Sequence, residues 1–307
     1  MSRSYAIIGA GALGCYYGSR LEKAGCAVHY LMRSDYPYVS KHGLRVESMH
    51  GEVVLNTPSV YDDMAALPPC DVALVTMKST SNAALPALLP PALKDDGVVL
   101  VLQNGLGVER QAAGIVGEER VIGGLCFLCS NRIGPGHVRQ TRVDRLMLGE
   151  FATRGVSPRM RTIGADFERG QVTVSLSEDI GLARWQKLVW NVPYNGLCAV
   201  LDADTTMIMS NPATASLVVD LMHEVTSAAE AVGGYRIGES FVQKMLDDTA
   251  GMDAYQPSML IDRREGRPME VEAIHGEPVR SAEAAGYPVP KMRMLYEQLC
   301  LVDRLCD

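Results

Sequence analysis

Short, mainly apolar runs recur through the first half of the chain: Tyr5–Ile8, Ala27–Leu31, Val72–Thr76, Val98–Leu102 and Val121–Cys126. Runs without clear alternation are apolar on both faces, as in a parallel strand covered by helices on either side. Between most of them lie amphipathic stretches, or helical segments punctuated by proline and glycine. Such alternation predicts a doubly wound α/β sheet. Leu44–Glu47 and Val53–Leu55 predict a small hairpin with Gly51 in its turn. His137–Gln140 and Leu146–Gly149 predict a further antiparallel piece after the Gly134-Pro135-Gly136 turn.

After about Val174 strand-like runs give way to helical periodicity. Asn211–Val232 predicts a long helix, with Pro212 at its start and Gly233-Gly234 as its stop. Ser258–Glu265, Met269–Ala285 and Lys291–Leu305 predict three more. The change of texture places a boundary near Ser175–Glu178, giving an α/β domain over 1–175 and an all-α domain over 176–307.

Composition narrows the function. A net charge of −7 with no basic run argues against a nucleic-acid partner. The longest purely apolar runs are strand-length, too short for a membrane span. The chain runs from Met1 almost directly into a strand, which leaves no room for a signal peptide. The eight cysteines then read as reduced thiols of a cytoplasmic protein. Cys126 and Cys129 form a C-x-x-C, but no second pair stands at metal spacing, and no metal site is expected.

Gly9-Ala10-Gly11-Ala12-Leu13-Gly14 follows a predicted strand and opens a predicted helix. In that setting the G-x-G-x-x-G spacing is a Rossmann-type dinucleotide signature. Gly9 permits the tight turn, Gly11 lets a pyrophosphate approach the backbone, and Gly14 lets helix and strand pack closely. The helix N-terminus supplies N–H groups and partial positive charge. At the end of the second strand an NAD site usually has an acid for the ribose hydroxyls. Tyr30-Leu31-Met32-Arg33-Ser34 offers Arg33 instead, which suits a 2′-phosphate and favours NADP(H) over NAD(H). Asp35 lies close by and weakens that preference.

Lys78 and Asn104 fall just past the third and fourth predicted core strands. Ligands of open parallel sheets sit at those carboxyl ends, so both residues would overlook the nicotinamide end of a cofactor. Lys187, Asn191 and Asn195 recur every fourth residue in an apolar helical stretch. Four residues turn a helix through about 400°, so the three form one slightly spiralled stripe. It is either the lining of a reaction pocket or a snorkelling lysine with two surface amides. Pro193 lies within it and should kink the helix or open a turn.

With these residues in view, the chain resembles the ketopantoate reductase family, within the wider group of two-domain hydroxyacid dehydrogenases. The carriers are the glycine turn, Met77-Lys78, Gln103-Asn104-Gly105, Trp185-Gln186-Lys187-Leu188 with Asn191 and Asn195, Pro257-Ser258-Met259-Leu260-Ile261-Asp262, and Gly266-Arg267-Pro268-Met269-Glu270. The resemblance implies reduction of an alpha-keto acid, foremost 2-dehydropantoate, by NADPH. It implies Lys187 as general acid, with Glu270 touching the substrate and helping to place that lysine. It puts Asn191, Asn195 and Ser258 in the substrate pocket, and Lys78, Asn104 and Glu270 around cofactor and substrate. The chemistry is expected in a cleft between the domains, where closing would exclude water. Pro257 stands where many relatives have a first serine, and Gly196 and Cys198 stand where proline and threonine often occur. These departures keep open a related dehydrogenase acting on another branched or bulky alpha-keto acid. A non-catalytic NADP(H) sensor is the reading from a different class. Long apolar helices in the second half are compatible with a homodimer.

Overall fold

The apolar runs become strands of one sheet. In chain order they are β1 (Ser4–Ile8), β2 (Ala27–Leu31), β3 (Leu44–Glu47), β4 (Val53–Leu55), β5 (Ser59–Tyr61), β6 (Cys70–Val75), β7 (Leu93–Val101), β8 (Val121–Gly134), β9 (His137–Glu150) and β10 (Thr173–Leu176). The computed structural model describes residues 2–305. Across the sheet the order is β4-β3-β9-β8-β7-β6-β1-β2-β5, with β10 beside β9. β1 pairs in parallel with both β2 and β6, so the strand order reverses at β1/β6. β7 and β8 extend the parallel core.

The helices of this part are α1 (Ala12–Lys23), α2 (Tyr36–His42), α3 (Leu85–Ala92), α4 (Val108–Val116) and α5 (Pro158–Arg169). Strand side chains alternate faces, and both faces are buried here. Tyr5, Ile7, Val72, Leu74, Val98 and Leu100 share one core with Tyr16, Tyr17 and Leu21 of α1 and Ile163 and Phe167 of α5. Their neighbours Ala6, Ile8, Ala73, Val75, Val99 and Val101 are buried too, on the face where α3 and α4 pack. Two-sided burial is the physical reason these strands carry no polar alternation.

The β8–β9 ribbon departs from the sequence-based expectation. In place of a core strand ending at Cys126 and a separate antiparallel piece, β8 continues to Gly134 and β9 is one unbroken strand paired with it. The outer half carries Ser130, Asn131 and Arg132 on one strand and Thr141 and Arg142 on the other. Those polar residues conceal the strand from an apolar pattern. Register shifts at Leu128–Ser130, and Val143 at φ 44, absorb the irregularity without breaking the ribbon. The β3–β4 hairpin forms with Gly51 at φ 91 in its loop, and β3 also joins the main sheet against β9.

The helical part contains α6 (Ile180–Leu201), α7 (Thr205–Ser210), α8 (Pro212–Gly233), α9 (Glu239–Ala250), α10 (Ser258–Arg264), α11 (Glu277–Ala284) and α12 (Pro290–Arg304). Trp185, Leu188, Val189 and Val192 of α6 are packed in one core with Leu221, Met222 and Val225 of α8 and Leu295 and Leu299 of α12. Asn211 caps α8 by accepting from Ala213 N at 2.9 Å, and Gly234 ends it in the left-handed region at φ 66. α6 runs through Pro193 without a break. Met269–Ala285 is not a single α-helix. Met269 N is held by the Asp303 carboxylate at 2.7 Å, helix starts only at Val271, and Glu272–Gly276 is a wide π-turn leading into α11.

The chain divides into two compact units, Met1–Gln103 with Val108–Ile180, and Asn104–Gly107 with Gly181–Asp307. The short loop Asn104–Gly107 thus goes with the helices although the sheet's chain flanks it on both sides. β10 crosses the position at which the sequence texture changes, and it belongs to the sheet.

Candidate active site

In the α/β unit the glycine turn sits at the β1/β6 reversal. Gly9 has φ 96, and a Cβ there would lie 2.5 Å from the Met77 backbone. A Cβ on Gly14 would lie 2.6 Å from Thr76 Oγ1 and 2.7 Å from Gly9 O. Both glycines are required by close packing against the end of β6. Thr76 Oγ1 donates to Gly9 O at 2.8 Å, which fixes the turn from below. Gly11 differs, since a Cβ there would meet nothing within 4 Å. Gly11 is the N-cap of α1 and gives the helix no side-chain cap. The leading N–H groups of α1, from Ala12 and Leu13 onward, have no intrahelical acceptor. An uncapped helix start beside an empty approach fits a dinucleotide pyrophosphate.

Arg33 follows β2, is exposed, and has no ion-pair partner among the described residues. Asp35 is turned away from open solvent, toward Arg132 and the Gly136 amide. Lys78 follows β6 at a half-buried position and opens a 3-10 turn over Ser79–Ala84. Beside it Gln103, 3% exposed, donates through Nε2 to Met77 O at 2.8 Å and to Asn82 Oδ1 at 2.6 Å. This amide locks the ends of β6 and β7 together. The sequence shows Gln103 only as part of the Gln103-Asn104-Gly105 motif. Its signal was an amide at the end of an apolar run, paired with Asn104.

In the helical unit, Lys187 Nζ donates to Asn104 Oδ1 at 2.8 Å. Two residues chosen from different stretches of sequence thus meet. The loop bearing Asn104 is pinned by Leu106 N donating to Ala273 O at 2.8 Å. Gly105, at φ 93, passes so close to the π-turn that a Cβ would lie 2.3 Å from Ala273 O. Asn191 and Asn195 are 7% and 3% exposed, so the stripe beyond Lys187 is interior rather than surface. The Asn195 carbonyl oxygen accepts from Met259 N at 3.2 Å and from Ser258 Oγ at 3.3 Å. Pro257, the N-cap of α10, has no side chain that can accept, and Asn195 fills that role from α6. Glu270 is 7% exposed, just before the π-turn, and its carbonyl accepts from Ile274 N at 3.1 Å.

His275 lies inside the π-turn and is 1% exposed, with neither ring nitrogen hydrogen-bonded. Burial pushes its pKa down to about 3, so the imidazole is neutral. Gly196 makes room for it, because a Cβ there would lie 2.7 Å from His275 Cε1. The unusual glycine after Asn195 is therefore a packing partner of this histidine. Among the described residues no group of three or more His, Cys, Asp or Glu could hold a metal ion, and no helix is long and apolar enough to cross a membrane.

Residues 5–153 match the family model described as ketopantoate reductase PanE/ApbA, and residues 179–302 match the model of its C-terminal region. A 2-dehydropantoate 2-reductase from Nostoc sp. (strain PCC 7120) is 48% identical, covering 98% of this chain and 95% of its own. The chain belongs to the ketopantoate reductase family. It shares the family's fold. The crystal structure of 2-dehydropantoate 2-reductase from Geobacter metallireducens superposes with a TM-score of 0.94 at 40% identity, over 97% of this chain and 99% of the other. The enzyme of the same name from Methylococcus capsulatus gives 0.90 at 33% identity, over 99% and 98%. As a ketopantoate reductase family member the chain is an oxidoreductase acting on a keto acid.

Proposed function

We propose that this chain reduces 2-dehydropantoate to pantoate with NADPH, with Lys187 as the proton donor. The single observation that carries the reading is the 2.8 Å hydrogen bond between Lys187 Nζ and Asn104 Oδ1. An ammonium has three N–H donors, and committing one to a pinned amide sets the direction of the others. When bound, NADPH supplies the hydride to the keto carbon. The carbonyl oxygen then gains negative charge, which the Lys187 ammonium stabilises and finally protonates. Asn191, Asn195, Ser258 and Lys78 are the polar groups for the substrate's carboxylate and hydroxyls. Glu270 contacts substrate and steadies Lys187. Gly9 to Gly14 hold the pyrophosphate, with Lys78, Asn104 and Glu270 toward the nicotinamide side, and Arg33 binds the 2′-phosphate.

The free thiols at Cys15, Cys26, Cys70, Cys126, Cys129, Cys198 and Cys300 suit a reducing compartment, and we assign the enzyme to the cytoplasm. The test of function is NADPH consumption with 2-dehydropantoate beside a panel of branched and aromatic alpha-keto acids. The expected result is a kcat/KM for 2-dehydropantoate well above all others. Pro257 in place of a hydroxyl favours one competing reading. A clear preference for another bulky keto acid would replace the substrate but keep the chemistry. Binding of NADPH without oxidation by any keto acid would leave only a sensor. For the cofactor, Arg33→Ala should raise the KM for NADPH far more than that for NADH.

A further inference from the structure

The residue that most endangers an NADPH preference is Asp35. It follows β2 closely, in the neighbourhood where a dinucleotide site selective for NADH keeps the carboxylate that binds the ribose hydroxyls. A bare carboxylate there would also repel a 2′-phosphate, and two charges within a Debye length of about 8–10 Å feel each other strongly.

The structure shows Asp35 occupied. Its Oδ1 pairs with Arg132 NH2 at 2.5 Å, and its Oδ2 accepts from Gly136 N at 3.2 Å. The carboxylate is only 12% exposed, whereas the Arg132 side chain is 46% exposed. Asp35 occupies the N-cap position of α2 yet makes no capping bond. Apart from a long bond from Ser34 Oγ to Oδ1 at 3.4 Å, its two oxygens are spent on the outer end of the β8–β9 ribbon. That ribbon runs past the start of the cofactor helix, with Ser130 Oγ donating to Ala12 O at 3.3 Å. The backbone of Gly136, at φ 60, fits closely against α2, since a Cβ would lie 3.0 Å from Tyr38 Cδ1 and from Gly43 O. The ribbon is thus held against the β2–α2 corner, and Arg132 is delivered to Asp35 from a strand remote in sequence.

We propose that Arg132 is a specificity-determining residue. It neutralises Asp35 and turns it inward, so that Arg33 alone presents charge to the ribose 2′ position. The inference rests on the NADPH reading and deepens it: cofactor choice is made by a pair of residues, Arg33 reading the phosphate and Arg132 silencing its competitor. Arg132 acts through Asp35, and not by touching the phosphate.

The experiment measures kcat/KM with NADPH and with NADH for the full-length protein, for Arg132→Gln, for Asp35→Asn, and for the double variant. Affinities for 2′,5′-ADP and 5′-AMP are measured alongside by calorimetry. The unmodified protein tests the cofactor reading itself, because a preference for NADH would end it. The substitutions test Arg132 whatever that preference is. Arg132→Gln should lower the NADPH/NADH ratio about tenfold, the scale of one charged hydrogen bond, and lower the 2′,5′-ADP/5′-AMP affinity ratio in step. Adding Asp35→Asn should restore most of both ratios, because no charge is left to silence. Equal losses for both cofactors would reduce the pair to a structural tie and overturn the proposal. A ratio that stays low in the double variant would mean that Arg132 binds the phosphate directly, and would overturn it as well.

Discussion

The glycine turn and the lysine stripe are built on opposite principles. Every part of the turn from Gly9 to Gly14 is settled within the chain segment itself and the strand ends it touches. A Cβ on Gly9 or Gly14 would lie 2.5–2.7 Å from Met77, Thr76 and backbone, and Gly11 is set by the opening it leaves. The stripe has no such self-sufficiency. Lys187 is oriented by Asn104 from a distant loop, that loop by the Ala273 carbonyl, and Asn195 by the start of α10. A local device is exposed to changes in its own residues. A dispersed one is exposed to changes in residues that never meet substrate.

The largest effect expected is on chemistry. Lys187→Ala should lower kcat by roughly 10²–10⁴-fold, the usual worth of a positioned proton donor, while leaving the dissociation constant of NADPH nearly unchanged. Near-normal turnover in a folded variant would remove Lys187 from the mechanism.

Next is acid stability, which belongs to the helical unit. His275 has its pKa lowered from 6.5 to about 3 by burial. The unfolded chain therefore binds a proton that the native state refuses. Stability from this group is complete above pH 6.5 and is lost as pH falls toward 3, by up to a few kcal/mol. Melting temperatures across that window should fall less steeply for His275→Leu than for the unmodified chain. Parallel curves would show that the native state admits the proton.

Two glycine substitutions sharpen the contrast between the regions. Gly14→Ala should cost about 1–3 kcal/mol by overpacking and weaken NADPH and NADH alike. Gly105→Ala forces a Cβ to 2.3 Å from Ala273 O at a positive φ, so it should displace Asn104 and lower kcat by a larger factor than it weakens the cofactor. If Gly105→Ala weakened cofactor binding but not turnover, the loop would serve the nucleotide rather than the lysine. The smallest effect is that of Asn195→Ala. It removes the acceptor for Met259 N and should destabilise the chain by about 1 kcal/mol in chemical denaturation, with a rise in KM for the keto acid.

Much of this architecture was legible in advance. β1, β6 and the inner part of β8 are buried largely on both faces and stood out as apolar runs, and β2 stood out through Val28, Tyr30 and Leu31 although its burial alternates around His29. Capping chemistry marked α8 at both ends, through Asn211, Pro212 and Gly234. The outer β8–β9 ribbon was not legible, because its polar side chains erase the periodicity. The π-turn was not legible either. Helix begins there only at Val271, after Met269 N has bonded to the distant Asp303 carboxylate, a contact that spacing along the chain does not show.

The sequence by itself determined the α/β-then-helical order, the glycine turn and its demand for a phosphate-bearing ligand, and the four-residue spacing of Lys187, Asn191 and Asn195. These follow from backbone geometry and side-chain size over a few neighbouring positions. Tertiary structure alone decided that Asn104 joins the helical unit and meets Lys187, that Asn195 caps α10, that Gly196 houses His275, and that Arg132 claims Asp35. Each is a contact between residues far apart in the chain. Hydrogen bonds and close packing have a range of a few ångströms, and spacing along the chain does not say which distant groups the fold brings within it.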